Sequence, residues 1–386
     1  MTRSQRIAVV GGGIGGLTVA IALQKKGFSP VVFESAPEIR PLGAGIVLAA
    51  NAIKAFREIG LERQILDAGS ELRRFCIRNQ SGRILSATDS QRVSARFGVS
   101  HSVALQRSVL HNVLISSLRP GTLQTGKACV DFKVNSDSVT LAFGDSTTFE
   151  TDQVIAADGI HSLFRKRLAG TTTLRYSGYT CWRGITDRLP AGHERDEASE
   201  FWGAGRRFGL VPVSGNKIYW FATVNATERD TRYDSYTVED VAKLFGDFSP
   251  AVVEVVRSTQ SQAMIRNDIH DVEPIAQYNF GRVVLLGDAA HATTPNLGQG
   301  ACMAIEDAVV LANFMGSDEV DGDAFLKYES LRIPRTTRIV KTSWQMGRIG
   351  QLENPLLVRL RNTAMRWTPA SVSERQLDFL FNVSFS

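Results

Sequence analysis

Apolar residues follow two rhythms along this chain. Arg6–Val10 predicts a short apolar strand that runs straight into glycine, which fills five of the six positions from Gly11 to Gly16. From Ile14 to about Lys26 the spacing is helical, and Gly27 stops it. Val31–Phe33 then predicts a second strand, ending at Glu34. Two later runs have the same buried, parallel-strand character: Val154-Ile155-Ala156-Ala157-Asp158-Gly159 and Arg282-Val283-Val284-Leu285-Leu286-Gly287-Asp288. The second leads through Ala289-Ala290-His291 and Pro295 to the turn Gly298-Gln299-Gly300, which opens a helix from Ala301 to about Met315. Between them, from Tyr176 to about Met264, apolar and polar residues alternate. Turns at Pro190-Ala191-Gly192 and Val213-Ser214-Gly215-Asn216 complete a pattern of antiparallel strands rich in Trp, Phe and Tyr. Val340 to Arg366 is helical in tone.

The first rhythm carries chemistry. A strand, the turn Gly11-x-Gly13-x-x-Gly16, a helix and a second parallel strand form the unit that binds a dinucleotide pyrophosphate. Its glycines permit a tight turn, close approach of backbone to phosphate, and close packing of helix on strand. The helix N-terminus offers free N–H groups and the positive end of its dipole. Glu34, eighteen residues after Gly16, stands where a carboxylate accepts both ribose hydroxyls, which favours NAD or FAD over a 2′-phosphorylated cofactor.

Composition narrows the field. The chain has 386 residues, 43% hydrophobic and 22% charged, too apolar for disorder and too evenly polar for a membrane bundle. Lysine and arginine exceed aspartate and glutamate by 44 − 39 = 5 without a dense basic tract, which argues against nucleic acid and suits an anionic ligand. Cys76, Cys129, Cys181 and Cys302 lie far apart with no C-x-x-C pair, so reduced cysteines in a cytoplasmic protein are expected. No histidine pair has metal-ligand spacing and no Gly-x-Ser-x-Gly elbow occurs, so neither a metal site nor a serine nucleophile is expected. Ile7–Leu23 could mimic an export signal, but its glycines weaken an apolar helix and it flows directly into the next strand.

The glycine turn with Glu34, then AADGIHSLFR (Ala156–Arg165), then RVVLLGDAAHATTPNLGQGACMAIEDA (Arg282–Ala308) stand in a characteristic order. In this order the chain resembles the single-component, FAD-dependent aromatic hydroxylases, the para-hydroxybenzoate hydroxylase-like group of class A flavoprotein monooxygenases, from about residue 5 to about residue 345. Tyr176–Cys181 and Pro295–Gly300 resemble both the salicylate, 3-hydroxybenzoate and urate hydroxylase branch and the zeaxanthin epoxidases. The resemblance implies an α/β fold: a Rossmann-type FAD-binding domain with an inserted, mostly antiparallel substrate sheet and C-terminal helices. The expected division is 1–74, 100–174 and 275–345 for FAD, 75–99 and 175–274 for the substrate sheet, and 346–386 for a helical tail. It implies that NAD(P)H, a transient co-substrate, reduces FAD, and that O2 then gives a flavin C4a-hydroperoxide. That species would hydroxylate or epoxidise an electron-rich aromatic or polyene small molecule. A reductase or oxidase of the same fold and a non-catalytic FAD-fold binder are the alternatives.

Residue by residue, the resemblance implies that Gly11, Gly13, Gly15 and Gly16 cradle the pyrophosphate and Glu34 holds the adenosine ribose. Ser35 stands where the family often has a basic residue. Val47 would line the cofactor, Arg107 reach it from the next helix, and Cys129 fall where backbone brackets the adenine. Arg107 also reads as an ordinary surface or capping arginine. Asp158 would serve both cofactors and Asp288 the ribityl chain, while Pro295, Gly298, Gln299, Gly300 and Ala301 border the isoalloxazine. Arg165 is a candidate for a nicotinamide-nucleotide phosphate. Cys181 and Arg207 fall at substrate-lining positions; urate hydroxylases have an amide at the first, so Cys181 argues against urate, and Arg207 either holds a substrate oxygen or is solvated beside Arg206. The basic and apolar segment Val340–Arg366 either braces the two domains or touches a membrane surface. Oligomeric state is left as monomer or homodimer.

Overall fold

A computed structural model describes residues 5–38, 45–170, 173–316 and 324–386. Its first layer is a six-stranded sheet in the order Asn279–Phe280, Val283–Leu285, Gln153–Ala156, Ile7–Val10, Val31–Phe33 and Leu123–Gln124. All neighbours in it run parallel except Asn279–Phe280, which pairs antiparallel at the edge. Strands far apart in sequence thus meet in register, Ala8 beside Val154 and Ile155 beside Val284. The helix Ile14–Lys25 is buried almost all round, between this sheet and the helix Gly300–Met315. That is why its sequence is apolar on every face. Gly27, with φ of +90°, ends it as expected.

The second layer is a seven-stranded sheet in the order Ile265–Val272, Leu174–Thr186, Lys217–Asn225, Arg206–Val213, Glu197–Trp202, Arg74–Asn79 and Ile84–Asp89. Only Glu197–Trp202 and Arg74–Asn79 run parallel to each other. One face buries Trp182, Phe201, Phe208 and Trp220 against Val241, Phe245, Val252 and Val256. Val241, Val252 and Val256 lie on two helices, Val238–Leu244 and Pro250–Arg257, and Phe245 caps the first, all within the stretch expected to be strands as far as Met264. Their apolar residues recur at three and four rather than two, which the more obvious alternation upstream obscured. On the other face Phe221 lies over Gly209, its partner across the ladder; a Cβ there would fall 2.0 Å from the ring.

A three-stranded sheet, Gly45–Leu48, Ser102–Gln106 and Ser70–Leu72, bridges the layers. Gly45 lies on the Tyr219 ring, where a Cβ would come within 2.4 Å of Cγ. The helix Ala324–Gly350 then spans both layers, followed by helices Pro355–Trp367 and Ala370–Phe381. The expected helical run Val340–Arg366 is therefore two helices, parted at Gln351–Asn354, where Asn354 caps the second through Leu356 N and Leu357 N. Among the described residues no helix is long and apolar enough to cross a membrane.

Gly209→Val would force the Phe221 ring off its strand and cost about 1–3 kcal/mol, read as a lowered urea midpoint with the slope unchanged.

Candidate active site

The glycine turn contains two kinds of glycine. A Cβ on Gly11, whose φ is +110°, would fall 2.2 Å from the Ala157 carbonyl oxygen, and one on Gly16 would fall 1.9 Å from that of Gly11. These two hold strand, turn and helix against one another. Gly13 has nothing within 4 Å of such an atom, and no side chain caps the helix that it opens. The space in front of Gly13 is thus where a phosphate can approach free N–H groups. Glu34 closes the turn: its Oε2 accepts from Gly12 N at 2.7 Å, and its Oε1 from Ala36 N at 2.8 Å and Ser35 Oγ at 3.1 Å. The residue that stands in place of a basic one therefore helps to orient the carboxylate. With about four acceptor sites on a carboxylate and three of them filled, the open one, on Oε2, remains for a ribose hydroxyl.

Three more loops converge on the carboxyl ends of the parallel strands. Asp158 accepts from Leu163 N through Oδ2 at 2.7 Å, while Oδ1 is buried with no partner among the described residues. Burial pushes this carboxyl above its ordinary value. A buried, orphaned acceptor calls for a donor from a ligand. Asp288 is exposed at the head of the short helix Asp288–His291, and its Oδ1 is 4.0 Å from where a Cβ on Gly300 would lie. Gly298 is left-handed, Pro295 begins the preceding turn, and the helix Gly300–Met315 starts with no side-chain cap. Its first turn, with Ala301, aims uncapped N–H groups and a positive dipole end towards Asp288. Val47 closes the same end, its carbonyl accepting from Cys302 Sγ at 3.7 Å. Arg107 is exposed at the first turn of the helix Arg107–Ser116. Cys129 is half-buried, its thiol pushed up to about 11 by burial, so it is neutral and inert. These features fit a flavin dinucleotide held along the glycine turn, Glu34, Asp158, Asp288 and the Gly298–Ala301 turn.

Arg165 is not available for a nucleotide phosphate. It is buried and donates to the carbonyls of Asp288 and Ala289, at 3.2 and 2.8 Å, and to that of Ile160. It is a strut between the Asp158 and Asp288 loops, which spacing along the chain could not reveal.

Behind the loops lies a fully buried ion cluster. Asp307 accepts from Gly287 N at 3.0 Å, His291 Nε2 at 2.6 Å and Arg332 Nε at 2.6 Å. Glu306 meets Arg332 Nη1 at 2.7 Å and takes both ends of the Arg335 fork at 2.7 Å. Asn51 Nδ2 bridges Glu306, at 2.5 Å, to the Gln299 amide oxygen, at 2.8 Å. Burial works to raise Asp307, but His291 and Arg332 outweigh it and hold the carboxyl down at about 2.

The inner face of the second sheet supplies the remaining wall. Tyr179, Cys181 and Arg183 alternate on one strand, facing Phe221 and Tyr219 of its neighbour. Cys181 is fully buried, its thiol pushed up by burial, so it lines the wall without acting as a nucleophile. Arg207 is not solvated: Nη1 donates to Glu200 at 3.0 Å, Nε to Gln351 at 2.9 Å and Nη2 to Asn296 at 2.7 Å. Asn296, next to Pro295 in the flavin-edge loop, also accepts from the Tyr179 hydroxyl at 3.1 Å. Arg183 meets only Asn267 Oδ1, at 3.4 Å, and the Tyr219 side chain; no carboxylate among the described residues pairs with it. Sequence reading missed Tyr179, Arg183, Asn296 and Gln351. A period of two about Cys181 marks the first pair, Asn296 lies inside the Pro295–Gly300 motif, and Gln351 has no signal along the chain.

A model of the FAD binding domain family matches residues 4–343. The chain is 38% identical to the aurachin C monooxygenase/isomerase of Stigmatella aurantiaca over 93% of each chain. It is 35% identical to the 2-heptyl-3-hydroxy-4(1H)-quinolone synthase of Pseudomonas aeruginosa over 96% of each. The solved structure of Klebsiella pneumoniae HpxO complexed with FAD and uric acid superposes with a TM-score of 0.90 at 30% identity, covering 98% of this chain and 97% of that one.

Gly13→Leu is expected to fold with the melting temperature of the flavin-stripped parent and to purify without flavin absorbance, because its side chain fills only ligand space. Gly16→Leu is expected to fail at folding. Asp307 also sets an acid limit. Its carboxyl lies below the unfolded value, so its stabilisation is complete above about pH 4 and is lost as pH falls towards 2; the full loss is about 2 kcal/mol. Asp307→Asn, which leaves His291 without its carboxylate and Arg332 with Glu306 alone, is expected to cost about 3–5 kcal/mol near neutrality and to flatten the acid limb of a denaturant-midpoint profile.

Proposed function

The chain belongs to the FAD-dependent class A flavoprotein monooxygenases, and we propose that within this family it hydroxylates a neutral, nitrogen-containing heteroaromatic of the 4-quinolone type. It is an aromatic hydroxylase that uses FAD, NAD(P)H and dioxygen. Its named relatives are monooxygenases and hydroxylases, so the reductase or oxidase and the non-catalytic binder are not favoured. When bound, FAD takes reducing equivalents from NAD(P)H and activates dioxygen for transfer to the ring.

The chain's own residues position cofactor and substrate and exclude water. Glycine turn and Glu34 hold the adenosine half in this reading, and Asp158 with Asp288 hold the middle. The uncapped turn at Gly298–Ala301 places donors where the reduced flavin ring carries negative charge. Tyr179, Cys181, Tyr219 and Phe221 offer an apolar and aromatic wall to a planar ring.

The observation that carries the substrate proposal is the difference between the two arginines on that wall. Arg207 is already matched by Glu200 in a buried pair, so a second carboxylate there would meet a neutral pair and a high desolvation cost. Three of its five N–H donors are engaged, and its role is to fix Asn296 and, through it, Tyr179. Arg183 keeps its charge for one ring oxygen, the carbonyl or enolate of a quinolone. A cation there stabilises the negative charge left on that oxygen when the ring loses its N–H proton to solvent, and so favours the anionic form whose ring carbon is the better acceptor of oxygen. Its similarity to the 2-heptyl-3-hydroxy-4(1H)-quinolone synthase of Pseudomonas aeruginosa supports this chemistry. Cys181 at the position of an amide speaks against urate.

The test is a panel of 4-quinolones with and without an alkyl chain, simple hydroxybenzoates, urate and a polyene, followed by NAD(P)H consumption and mass spectrometry under labelled dioxygen. One labelled oxygen in the quinolone ring is expected. Preferential labelling of a benzoate or urate overturns the substrate class. Arg183→Gln is expected to keep its FAD and to lose about ten- to a hundred-fold in kcat/KM, about 1.4–2.7 kcal/mol of transition-state stabilisation.

A further inference from the structure

We propose that the helix Pro355–Trp367 docks the protein on an anionic lipid surface, lying in its plane. The helix is amphipathic in the inverted sense. Its inward residues are Val358, Arg361, Asn362 and Met365, which are buried or half-buried. Outward stand Leu356, Leu360 and Trp367, which are 74%, 66% and 83% exposed, with Leu357 and Ala364 beside them. At about 100° per residue the spacing 356, 360, 364 and 367 makes one continuous stripe. A surface helix of a globular protein normally turns its apolar stripe to the core. Ile349 and Val372, on the helices before and after it, are exposed as well.

The helix is not a loosely held tail whose orientation is arbitrary. Arg361 donates to the carbonyls of Ile349 and Gly350 at 3.2 and 2.9 Å and to that of Gly203 at 3.3 Å, and it stacks over the Trp202 ring at 5.1 Å. This polar anchor fixes which side faces out. A contiguous exposed patch of leucine and tryptophan on an anchored helix marks a contact surface.

Charge selects the occupant. The segment Pro355–Trp367 contains three arginines and no acid. Arg361 is the anchor, whereas Arg359 and Arg366 are exposed along one flank of the apolar stripe. Arg348 is exposed one turn before the break. Glu353, the nearest acid in sequence, is hydrogen-bonded to Asn225 at 2.6 Å. An apolar stripe with tryptophan at its end and arginines along its flank is the pattern that seats in a headgroup layer of negative charge. A second copy of this chain fits less well. Around a two-fold axis, antiparallel helices set the same flank against the same flank, so Arg359 and Arg366 would approach their own copies.

The experiment uses the full-length, flavin-loaded protein and flotation with vesicles of phosphatidylcholine alone or mixed with phosphatidylglycerol. Binding to the mixed vesicles is expected, with a blue shift of tryptophan emission that Trp367→Phe removes. Leu360→Ser with Trp367→Ser is expected to weaken binding at least ten-fold. Arg359→Gln and Arg366→Gln are each expected to weaken it by about five-fold, an effect that high salt reproduces in the parent protein. All these side chains are exposed and outside the flavin and substrate walls, so flavin content and turnover of a dissolved substrate stay unchanged, which shows that the variants fold. Failure to bind either vesicle overturns the proposal. So does a concentration-dependent dimer that buries Trp367 and is lost in the same variants. Neither result depends on which ring the enzyme oxidises.

Discussion

Glu306 and Asp307 occupy successive positions of one helix with no exposure to solvent, and the two turns that present Asp288 and Gly298–Ala301 are fastened to them. Two adjacent buried carboxylates persist only if cations and N–H groups surround both. Asp307 recruits Gly287 N, His291 and Arg332, and so sets the turn that presents Asp288. Glu306 recruits Arg332, Arg335 and, through Asn51, Gln299, and so sets the turn at Gly298–Ala301. Arg335 also donates to the carbonyls of Phe379, Leu380 and Asn382, which ties the end of the chain into the same cluster. Removing one member leaves the others uncompensated in a low dielectric, and this makes the loop geometry all-or-none. A flavin site needs such rigidity, because its backbone donors stabilise charge only if they are already aimed.

The second constraint is the two-sided character of the seven-stranded sheet. Its outer face, with Trp182, Phe208 and Trp220 packed on two helices, is a hydrophobic core. Its inner face carries Tyr179, Cys181, Arg183 and Arg207, residues too polar for a core of that size. Glu200, Gln351 and Asn296 meet the needs of Arg207, and Asn296 those of the Tyr179 hydroxyl, whereas Arg183 has only Asn267, at 3.4 Å, and the Tyr219 side chain. The Ala324–Gly350 helix delivers Gln351 to this face and Arg332 and Arg335 to the ion cluster. One helix therefore couples cofactor loops to substrate wall, and the inverted helix that follows it extends from the same junction.

What could be read along the chain was local. The strand, turn and helix at residues 7–25 follow from glycine sterics and an apolar run, and the structure matches them almost residue for residue. Gly300–Met315 begins one residue before its expected start. The helices at 238–257 were missed because a short three-to-four period follows a long run with a period of two. The break at Gln351–Asn354 was missed because a capping asparagine is a weak signal inside a helical stretch. Arg165 was given a ligand because it follows a cofactor motif, yet three carbonyls consume its donors.

By itself the sequence determined a dinucleotide with an unphosphorylated ribose, since the glycine turn and Glu34 are short-range patterns whose geometry the backbone enforces nearby; the choice of FAD came from the family resemblance of the three motifs in their order. It also determined that the chain has a Rossmann-type layer and a separate antiparallel sheet. Tertiary structure alone decided which polar residues are free to act. Arg165, Arg183, Arg207 and Arg361 are the same residue type in unremarkable contexts. Which is strut, which anchor and which has no carboxylate partner among the described residues depends on carboxylates and carbonyls that folding brings from as far as 158 residues away. Ionic and hydrogen-bond pairing is a property of distance in space, and no spacing along the chain encodes it.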